Sequence, residues 1–338
     1  MKQSAHMSEE RLLKVLSGFK KKKIAVLGDV GIDRYTIGLV ERISPEAPVP
    51  IVSVQSEYLK LGLASNVADN VIALAGEAYL TGVLGNDQDA KDLTTMLSLR
   101  KIGTNGLITD ASRRTILKER IMGENQQMLR VDYENTHPLS PVVQKKIQAS
   151  VLKIIAGADA LIIEDYAKGL LQEKTISLAI KAAQTRKIPV LVDPHLKTPV
   201  SWYSNATLLT PNKREAEVLA GERIIDQKSL ISVGQEIMKK SRSHSLVITL
   251  GKDGMAIFKN AKTLPTVIPT FAQEVYDVSG AGDTVIATMA LVLATGATLE
   301  EAAFISNLAA GVEVSKRGTA TVSQQEIVQA FLRQLSGN

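Results

Sequence analysis

The sequence contains no cysteine and only four histidines among its 338 residues. The absence of cysteine excludes a disulfide-stabilised scaffold and thiolate chemistry, and so few histidines argue against a zinc site. No apolar run is long enough to span a membrane, and the N-terminus lacks the apolar segment of a secretory signal. We therefore expect a cytoplasmic protein without a membrane partner.

Two common nucleotide-binding motifs are also missing. The loop expected after the first strand, Gly28–Tyr35, lacks GxGxxG, which argues against a dinucleotide site, and GxxxxGK[ST] occurs nowhere. The formal net charge of +5 suits small anionic substrates but does not indicate nucleic acid. The basic run Lys20–Lys23 is interpreted as a solvated approach to the first strand.

The composition and the apolar pattern predict a soluble α/β protein. Hydrophobic residues make up 45% of the chain and charged residues 22%, and the length allows one large domain or two ordinary ones. Apolar strand-like runs are predicted at Ile24–Leu27, Tyr79–Val83, Ala160–Glu164, Val190–Asp193, Thr207–Thr210 and Leu246–Leu250. Segments of helical period are predicted at Asn66–Ala75, Val142–Ala156, Glu173–Arg186, Ser229–Lys240, Leu299–Val314 and Gln324–Leu335. This alternation predicts a mostly parallel central sheet with helices on both faces.

The domain is expected to span residues 24–336, after an N-terminal leader and entry over residues 1–23 in which Met1–Met7 are unstructured. Strands at about 34–58 and 112–132 interrupt the rhythm and would form a small projecting sheet, a lid or a dimer clasp. The prolines near Arg42–Pro50 forbid a helix and favour an edge strand. Its apolar run Val49–Val54 would be better covered by a partner, so we expect a homodimer through this sheet.

The segment Asp277–Asp283 is the strongest candidate for chemistry. Two glycines in three residues allow a tight bend, and the apolar run Thr284–Leu293 predicts a buried helix behind them. The amides at a helix N-terminus bind phosphate oxygens, and a carboxylate beside a phosphoryl group suits a general base. The alternative is a glycine turn with an Asp cap.

Polar residues also follow the predicted strands, at the edge where parallel sheets bind ligands. Asp29 and Asp33 are placed to bind sugar hydroxyls, or else to cap the next element. Asn212 and Glu215 lie three apart at a helix start and could hold a hydrated Mg²⁺, or else form a capping box.

The complete Asp-x-x-Gly-x-Gly-Asp pattern resembles the C-terminal motif of the ribokinase-like (PfkB) carbohydrate kinases, and motifs in the family's order run from Ile24 to Leu335. The resemblance implies that Asp283 is the catalytic base and that Gly280, Ala281 and Gly282 form the anion hole. It implies ATP as phosphoryl donor with Mg²⁺ at Asn212 and Glu215, and a monovalent cation such as K⁺ near the loop Lys316–Thr319. The nucleotide-binding residues that it implies are Asn212, Lys213, Arg214, Glu215, Thr249, Gly251, Gly254 and Asn307.

On the sugar side, Gly62–Asn66 is similar to the family's N-terminal Gly-Gly-x-x-x-Asn motif, with Leu61 in place of the first glycine. The sugar would lie against Asp33, Asn66 and Lys168.

Several segments resemble one branch of the family, the D-glycero-β-D-manno-heptose 7-phosphate kinases. They are Gly28–Tyr35, Arg42–Pro50, Asn125–Asp132, Asp165–Gly169 and Leu209–Asn212. The resemblance implies ATP-dependent phosphorylation of the anomeric hydroxyl, in the synthesis of ADP-heptose for lipopolysaccharide. The candidate anchors for the phosphate already on the sugar are Arg34, Arg42, Arg130 and Lys168, and bidentate geometry favours an arginine.

The chain stops after the final kinase helix, so we expect a separate adenylyltransferase to act downstream. The alternatives are another ribokinase-like sugar or sugar-phosphate kinase and a non-catalytic sugar-binding regulatory protein.

Overall fold

A computed structural model describes residues 7–124, 126–272, 274–316 and 320–336. The strands are β1 Lys23–Gly28, β2 Val30–Ile43, β3 Pro50–Leu63, β4 Glu77–Leu84, β5 Gly103–Thr109, β6 Ile116–Gly123, β7 Gln126–Tyr133, β8 Ala160–Glu164, β9 Val190–Asp193, β10 Leu208–Leu209, β11 Ser245–Thr249, β12 Met255–Phe258 and β13 Thr266–Ile268. The α-helices are α1 Glu9–Ser17, α2 Ala64–Ala73, α3 Gln88–Leu99, α4 Pro141–Ile155, α5 Glu173–Thr185, α6 Lys213–Ala220, α7 Gln227–Ser241, α8 Ala281–Ala294, α9 Leu299–Glu313 and α10 Gln324–Leu335. Short 3₁₀ turns occur at Val200–Tyr203 and Gly251–Asp253.

The large sheet has the strand order β13-β12-β11-β10-β9-β8-β1-β4-β5. Its strands from β11 to β5 pair in parallel, and only β12 and β13 at one edge are antiparallel. The carboxyl ends of β8, β9, β10 and β11 therefore meet along one edge of the sheet, as the sequence predicts.

Both faces of this sheet are covered by helices. Along β1, Ile24 and Val26 pack into one buried cluster, whereas Ala25 and Leu27 pack into the other. The first cluster contains residues of α1, α2, α3, α8, α9 and α10, and the second contains residues of α4, α5, α6 and α7. This arrangement explains why the strand sequences are apolar throughout, and it confirms the predicted mostly parallel sheet with helices on both faces.

A smaller sheet, here called the lid, has the order β3-β2-β6-β7. It consists of two antiparallel hairpins joined by parallel pairing of β2 with β6. Only Asp29 separates β1 from β2, and β3 runs directly into α2, with Val30 paired to Leu63 at the base. The prediction of a loop over Gly28–Tyr35 is therefore wrong. Asp33 lies inside β2, because pairing with β3 and β6 extends that strand almost to β1.

The N-terminal segment needs a second correction. Within the expected leader, Glu9–Ser17 form helix α1, which Ser8 caps by accepting a hydrogen bond from the amide of Arg11. Leu12, Val15 and Leu16 are buried in the core, at the spacing of one helix face. The expectation for Met1–Met7 concerns residues that, apart from Met7, lie outside the described ranges. None of the helices in the described ranges has the length and apolar character needed to cross a bilayer.

Candidate active site

Helix α8 begins at the glycine-rich segment. Its N-cap residue, Gly280, has φ +97°, a left-handed conformation that favours glycine, and its carbonyl accepts a hydrogen bond from the amide of Thr284. The following residues of α8 are buried almost throughout, which fixes the helix against the sheet. Asp283 lies in the first turn, where the helix dipole and unpaired amides favour negative charge.

The carboxylate of Asp283 is held by two neighbours from distant parts of the chain. Asn66 Nδ2 donates a 2.6 Å hydrogen bond to Oδ2, and the hydroxyl of Tyr166 donates a 3.1 Å hydrogen bond to Oδ1. Burial raises the pKa of Asp283 to about 6, while these two hydrogen bonds and Lys118 act in the opposite direction. A carboxyl group with this pKa is mostly ionised at neutral pH and still basic enough to accept a proton.

Space for a ligand lies directly above Gly282. Beyond its own helix turn, a Cβ added there would have one neighbour within 4 Å among the described residues, Oδ2 of Asp193 at 3.7 Å. A cavity of about 360 Å³ opens from this point and reaches Thr249, Gly251, Gly254 and Asn307. The structure thus brings four of the predicted nucleotide residues together with Ala281 and Gly282 of the predicted anion hole.

Two of those residues shape the cavity wall. The buried amide of Asn307 donates a 2.7 Å hydrogen bond to the carbonyl of Pro269, which fixes the segment that borders the cavity. Gly254 has φ +88°, and a Cβ there would lie 1.9 Å from the carbonyl oxygen of Ile268. Any residue with a side chain at position 254 would therefore clash with the backbone.

Asn212 and Glu215 form the capping box that was the structural alternative. Asn212 Oδ1 accepts from the amide of Glu215 at 3.0 Å, and Glu215 Oε2 accepts from the amide of Asn212 at 2.9 Å. Asn212 also pairs with Thr249 beside the cavity, while Lys213 and Arg214 are exposed on the first turn of α6. The capping role does not exclude ligand binding, because one carboxylate oxygen remains outside the box.

Three carboxyl groups lie near one another: Glu164 at the end of β8, Asp193 at the end of β9 and Glu215 in α6. Burial and then the carboxylate of Asp193 raise the pKa of Glu164, and burial and then Glu215 raise the pKa of Asp193. Oε2 of Glu164 is buried without a hydrogen-bond partner in the described part of the chain. Within the same ranges no three carboxylate or histidine groups are placed to ligate one metal ion directly. This donor set fits a cation that retains its water shell, as Mg²⁺ usually does.

Glu313, at the end of α9, is a fourth buried acid near the helix start. It has no exposed surface, and burial raises its pKa to about 8; the carboxylates of Asp277 and Asp283 add to this increase, while the backbone amide of Ala320 and then Lys316 oppose it. Asp277 is tied to the same region, because its amide donates to the carbonyl of Val314. The loop residues Arg317–Thr319, expected near a monovalent cation, lie outside the described ranges, as does Asn125.

The lid contributes the opposite side of the site. Asp33 forms an ion pair with Arg120, with 2.8 Å between Oδ1 and Nη1, and is almost completely buried. A Cβ at Gly62 would lie 3.2 Å from Cγ of Asp33, a tight contact, so the missing side chain lets β3 approach the carboxylate without displacing it. Asn66 follows at the start of α2 and, as described, contacts Asp283.

The four predicted phosphate anchors do not form one group. Arg34 pairs with Asp89 at 3.3 Å, Arg130 with Asp132 at 2.8 Å and Lys168 with Glu134 at 2.6 Å. Arg42 lies on the exposed distal end of β2 and forms no ion pair with a described residue.

The lid and α8 border a cleft that contains Asp33, Asn66 and Asp283. Sequence reasoning missed three further residues beside it, Lys118, Arg120 and Tyr166. Lys118 and Arg120 are two residues apart on β6, so they share one face of the lid. That spacing in a predicted strand was an available signal. The contact of Tyr166 with Asp283 had no local signal, because 117 residues separate them.

Comparisons with known proteins identify the family of this chain. The model of the pfkB family carbohydrate kinases matches residues 21–326. The chain is 40% identical over 96% of its length to the bifunctional protein HldE of Pelobacter propionicus, covering 66% of that protein. It is 42% identical over 92% of its length to the bifunctional protein HldE of Helicobacter hepaticus, covering 64% of that protein. The chain thus spans about two thirds of the length of these relatives.

Two solved structures share the fold. Arabidopsis thaliana ribokinase complexed with ribose and ATP superposes with a TM-score of 0.74 at 18% identity, covering 92% of this chain and 99% of that one. Phosphofructokinase-2 from Escherichia coli in complex with potassium superposes with a TM-score of 0.78 at 21% identity, covering 94% of this chain and 99% of that one. The predicted ribokinase-like fold is confirmed.

Proposed function

The chain belongs to the pfkB family of carbohydrate kinases, and we propose that its substrate is D-glycero-β-D-manno-heptose 7-phosphate. In this proposal the enzyme transfers a phosphoryl group from ATP to the anomeric hydroxyl and forms the 1,7-bisphosphate for ADP-heptose and lipopolysaccharide synthesis. The sequence segments that resemble heptose 7-phosphate kinases support this substrate, and the 40% identity to a bifunctional HldE protein agrees with it.

The observation that carries the proposed phosphoryl transfer is the placement of Asp283. Its carboxylate is buried at the start of α8, held by Asn66 and Tyr166, beside an open space above Gly282. In the proposed reaction Asp283 takes the proton of the anomeric hydroxyl, whose oxygen bonds to the γ-phosphorus as the bond to the β-phosphate oxygen breaks. The amides of Gly280, Ala281 and Gly282 stabilise the charge on the transferred group.

The donor nucleotide is proposed to lie in the cavity bounded by Thr249, Gly251, Gly254 and Asn307. Its phosphates would extend toward α8, past the exposed Lys213 and Arg214 of α6. Asn212 and Glu215 would hold Mg²⁺ through water, next to Glu164 and Asp193. The ion, when bound, neutralises phosphate charge. A monovalent cation such as K⁺ is proposed near Lys316.

The sugar is proposed to lie between the lid and α8. Asp33 and Asn66 would bind its hydroxyls, and Gly62 leaves room for the approach. The predicted anchors Arg34, Arg42, Arg130 and Lys168 remain proposals for the phosphate on the sugar.

We further propose that two copies associate through their lids, and that an adenylyltransferase activity uses the product. Exposed apolar side chains on the lid support the dimer: Leu39, Val40, Ile43, Val49, Val54, Tyr58, Met128 and Leu129.

A substrate panel tests the proposed reaction. Purified protein is assayed with ATP, Mg²⁺ and, in turn, heptose 7-phosphate, fructose 1-phosphate, fructose 6-phosphate and ribose. We expect kcat/KM to be highest for heptose 7-phosphate. Equal or better turnover of another sugar would reject this substrate and leave a sugar kinase of different specificity.

A further inference from the structure

Several cations lie near α8 on the lid side of the site, and three of them are paired with carboxylates. Arg120, Arg130 and Lys168 each form an ion pair at 2.8 Å or less, with Asp33, Asp132 and Glu134. Lys118, on the same lid strand as Arg120, forms no ion pair with any residue that the structure describes.

The position of Lys118 is defined by three elements. On the lid it is in register with Asp33 of β2 and with Asp132 of β7. Its ammonium group lies 5.0 Å from the ring centroid of Tyr166, on the loop after β8. The hydroxyl of the same tyrosine donates to Asp283, so Lys118 faces the cleft close to the reacting group.

The charges around Lys118 are unbalanced. The carboxylates of Asp33 and Asp132 attract it, but Asp33 is already paired with Arg120, and Asp132 with Arg130. Burial is the largest cause that lowers the pKa of Lys118, and repulsion from Lys168 and Arg130 lowers it further. The half-buried ammonium group of Lys118 loses hydration energy, and the Tyr166 ring and two carboxylates already paired with arginines compensate for only part of that loss. An anion bound in the cleft would supply the missing partner.

We propose that Lys118 is the principal contact for the phosphate group that the sugar substrate already carries, and that it makes the enzyme prefer phosphorylated sugars. This inference rests on the proposed function, because it assumes that the cleft binds a sugar phosphate. Lys168 and Arg130 flank the same phosphate but are each partly neutralised by their own carboxylates. The expectation of an arginine anchor fits the structure less well, because Arg34 and Arg130 are already paired and Arg42 lies at the exposed distal end of β2.

The phosphate of the sugar and the phosphoryl group in transfer are two possible anions here, and kinetics distinguishes them. We compare wild type, Lys118→Met and Lys118→Arg with a phosphorylated sugar and with the same sugar lacking that phosphate, at saturating ATP. For Lys118→Met we expect kcat/KM to fall 10- to 100-fold with the phosphorylated sugar, mainly through KM, and less than 3-fold with the other sugar. Lys118→Arg keeps the charge and should retain most of the preference.

The control is Lys146→Met, which removes an exposed lysine on α4 and should leave both values unchanged. Should Lys118→Met fail to fold, as judged by its melting temperature, Lys118→Gln replaces it. An equal loss with both sugars would overturn the proposal and assign Lys118 to the transferred group or to structure. No loss with either sugar would also overturn it.

The substrate panel with wild-type enzyme distinguishes a failure of the proposed function from a failure of the Lys118 proposal. If wild type prefers a phosphorylated sugar other than the heptose, the proposed substrate is wrong and the Lys118 comparison is made with that sugar pair. If wild type turns over no phosphorylated sugar, both proposals are wrong.

Discussion

Asn66 and Asp283 are joined by a 2.6 Å hydrogen bond across 217 residues of sequence. The first stands at the beginning of α2, where the lid strand β3 ends, and the second stands in the first turn of α8. The bond therefore links the base of the lid directly to the carboxylate proposed to accept the substrate proton. It also stabilises the ionised form of that carboxylate.

The pH dependence of the reaction should report this bond. In wild type, kcat/KM is expected to rise with pH through about 6 and then to level off, since Asp283 must be ionised and its pKa is about 6. In Asn66→Ala the carboxylate loses a donor, so its pKa and the midpoint should move up by about one unit. The measurement is the pH profile of kcat/KM from pH 5 to 9. A midpoint in Asn66→Ala at or below that of wild type contradicts the assignment.

Asp283→Asn should lose on the order of 10²- to 10⁴-fold in rate at every pH.

Gly282→Ala should separate stability from activity. Outside its own helix turn, the nearest described atom to the new methyl group would be Oδ2 of Asp193 at 3.7 Å, and alanine favours a helix over glycine by roughly 0.5–1 kcal/mol. We expect a melting temperature equal to or above that of wild type. The methyl group would occupy the proposed phosphate space, so turnover should fall by at least about 100-fold, within the range lost with one anion-hole donor. A variant that is both stable and fully active would show that no phosphoryl group binds at this point.

Two substitutions at Glu215 distinguish its capping role from its proposed metal role. Glu215→Gln keeps an acceptor for the amide of Asn212 and should leave the melting temperature nearly unchanged. It removes the negative charge, so the Mg²⁺ concentration for half-maximal activity should increase. Glu215→Ala loses both properties and should also be destabilised by roughly 1 kcal/mol. If Glu215→Gln has the Mg²⁺ dependence of wild type, the residue is a cap only.

Glu313 should make the protein less stable as the pH rises. Its pKa is about 8 in the folded chain against an ordinary value of 4.5, so the folded state binds the proton more tightly. The stabilisation from protonated Glu313 is complete below pH 4.5, decreases above it and is lost once the pH has passed 8. Because one pKa unit corresponds to about 1.4 kcal/mol, Glu313→Gln should be more stable than wild type at pH 8.5 by a few kcal/mol.

Chemical denaturation at pH 5 and pH 8.5 measures the effect of Glu313→Gln. Glu10→Gln, at an exposed position on α1, serves as the matched control and should show no such gain. An identical difference between the two pH values in wild type and in Glu313→Gln would mean that Glu313 is not buried as described.

The central sheet could be predicted from the sequence because its strands are buried on both faces. The strands Ala160–Glu164 and Val190–Asp193 are found with the predicted bounds, since continuous apolar runs ending in an acid mark them locally. The helix start at Asp283 could be predicted for the same reason: its glycines, acid and apolar run are adjacent.

The lid side of the site could not be predicted in the same way. Asp33 was expected in a loop, but its place in β2 depends on pairing with β3 and β6, the latter more than 80 residues away along the chain. The unpaired state of Lys118 depends on which carboxylates its neighbours already bind, and no local pattern reports that. Helix α1 was missed because its short apolar face, Leu12, Val15 and Leu16, was read as part of a leader.

The lid is encoded in two pieces, residues 30–63 and 116–133, that pair through β2 and β6. Genetic recombination between related kinases at any point from 64 to 115 would therefore join two half-lids that had never been selected together. The foreign β6 would arrive with its own partners for Asp33, so both halves must be exchanged at once when specificity is transplanted between such enzymes.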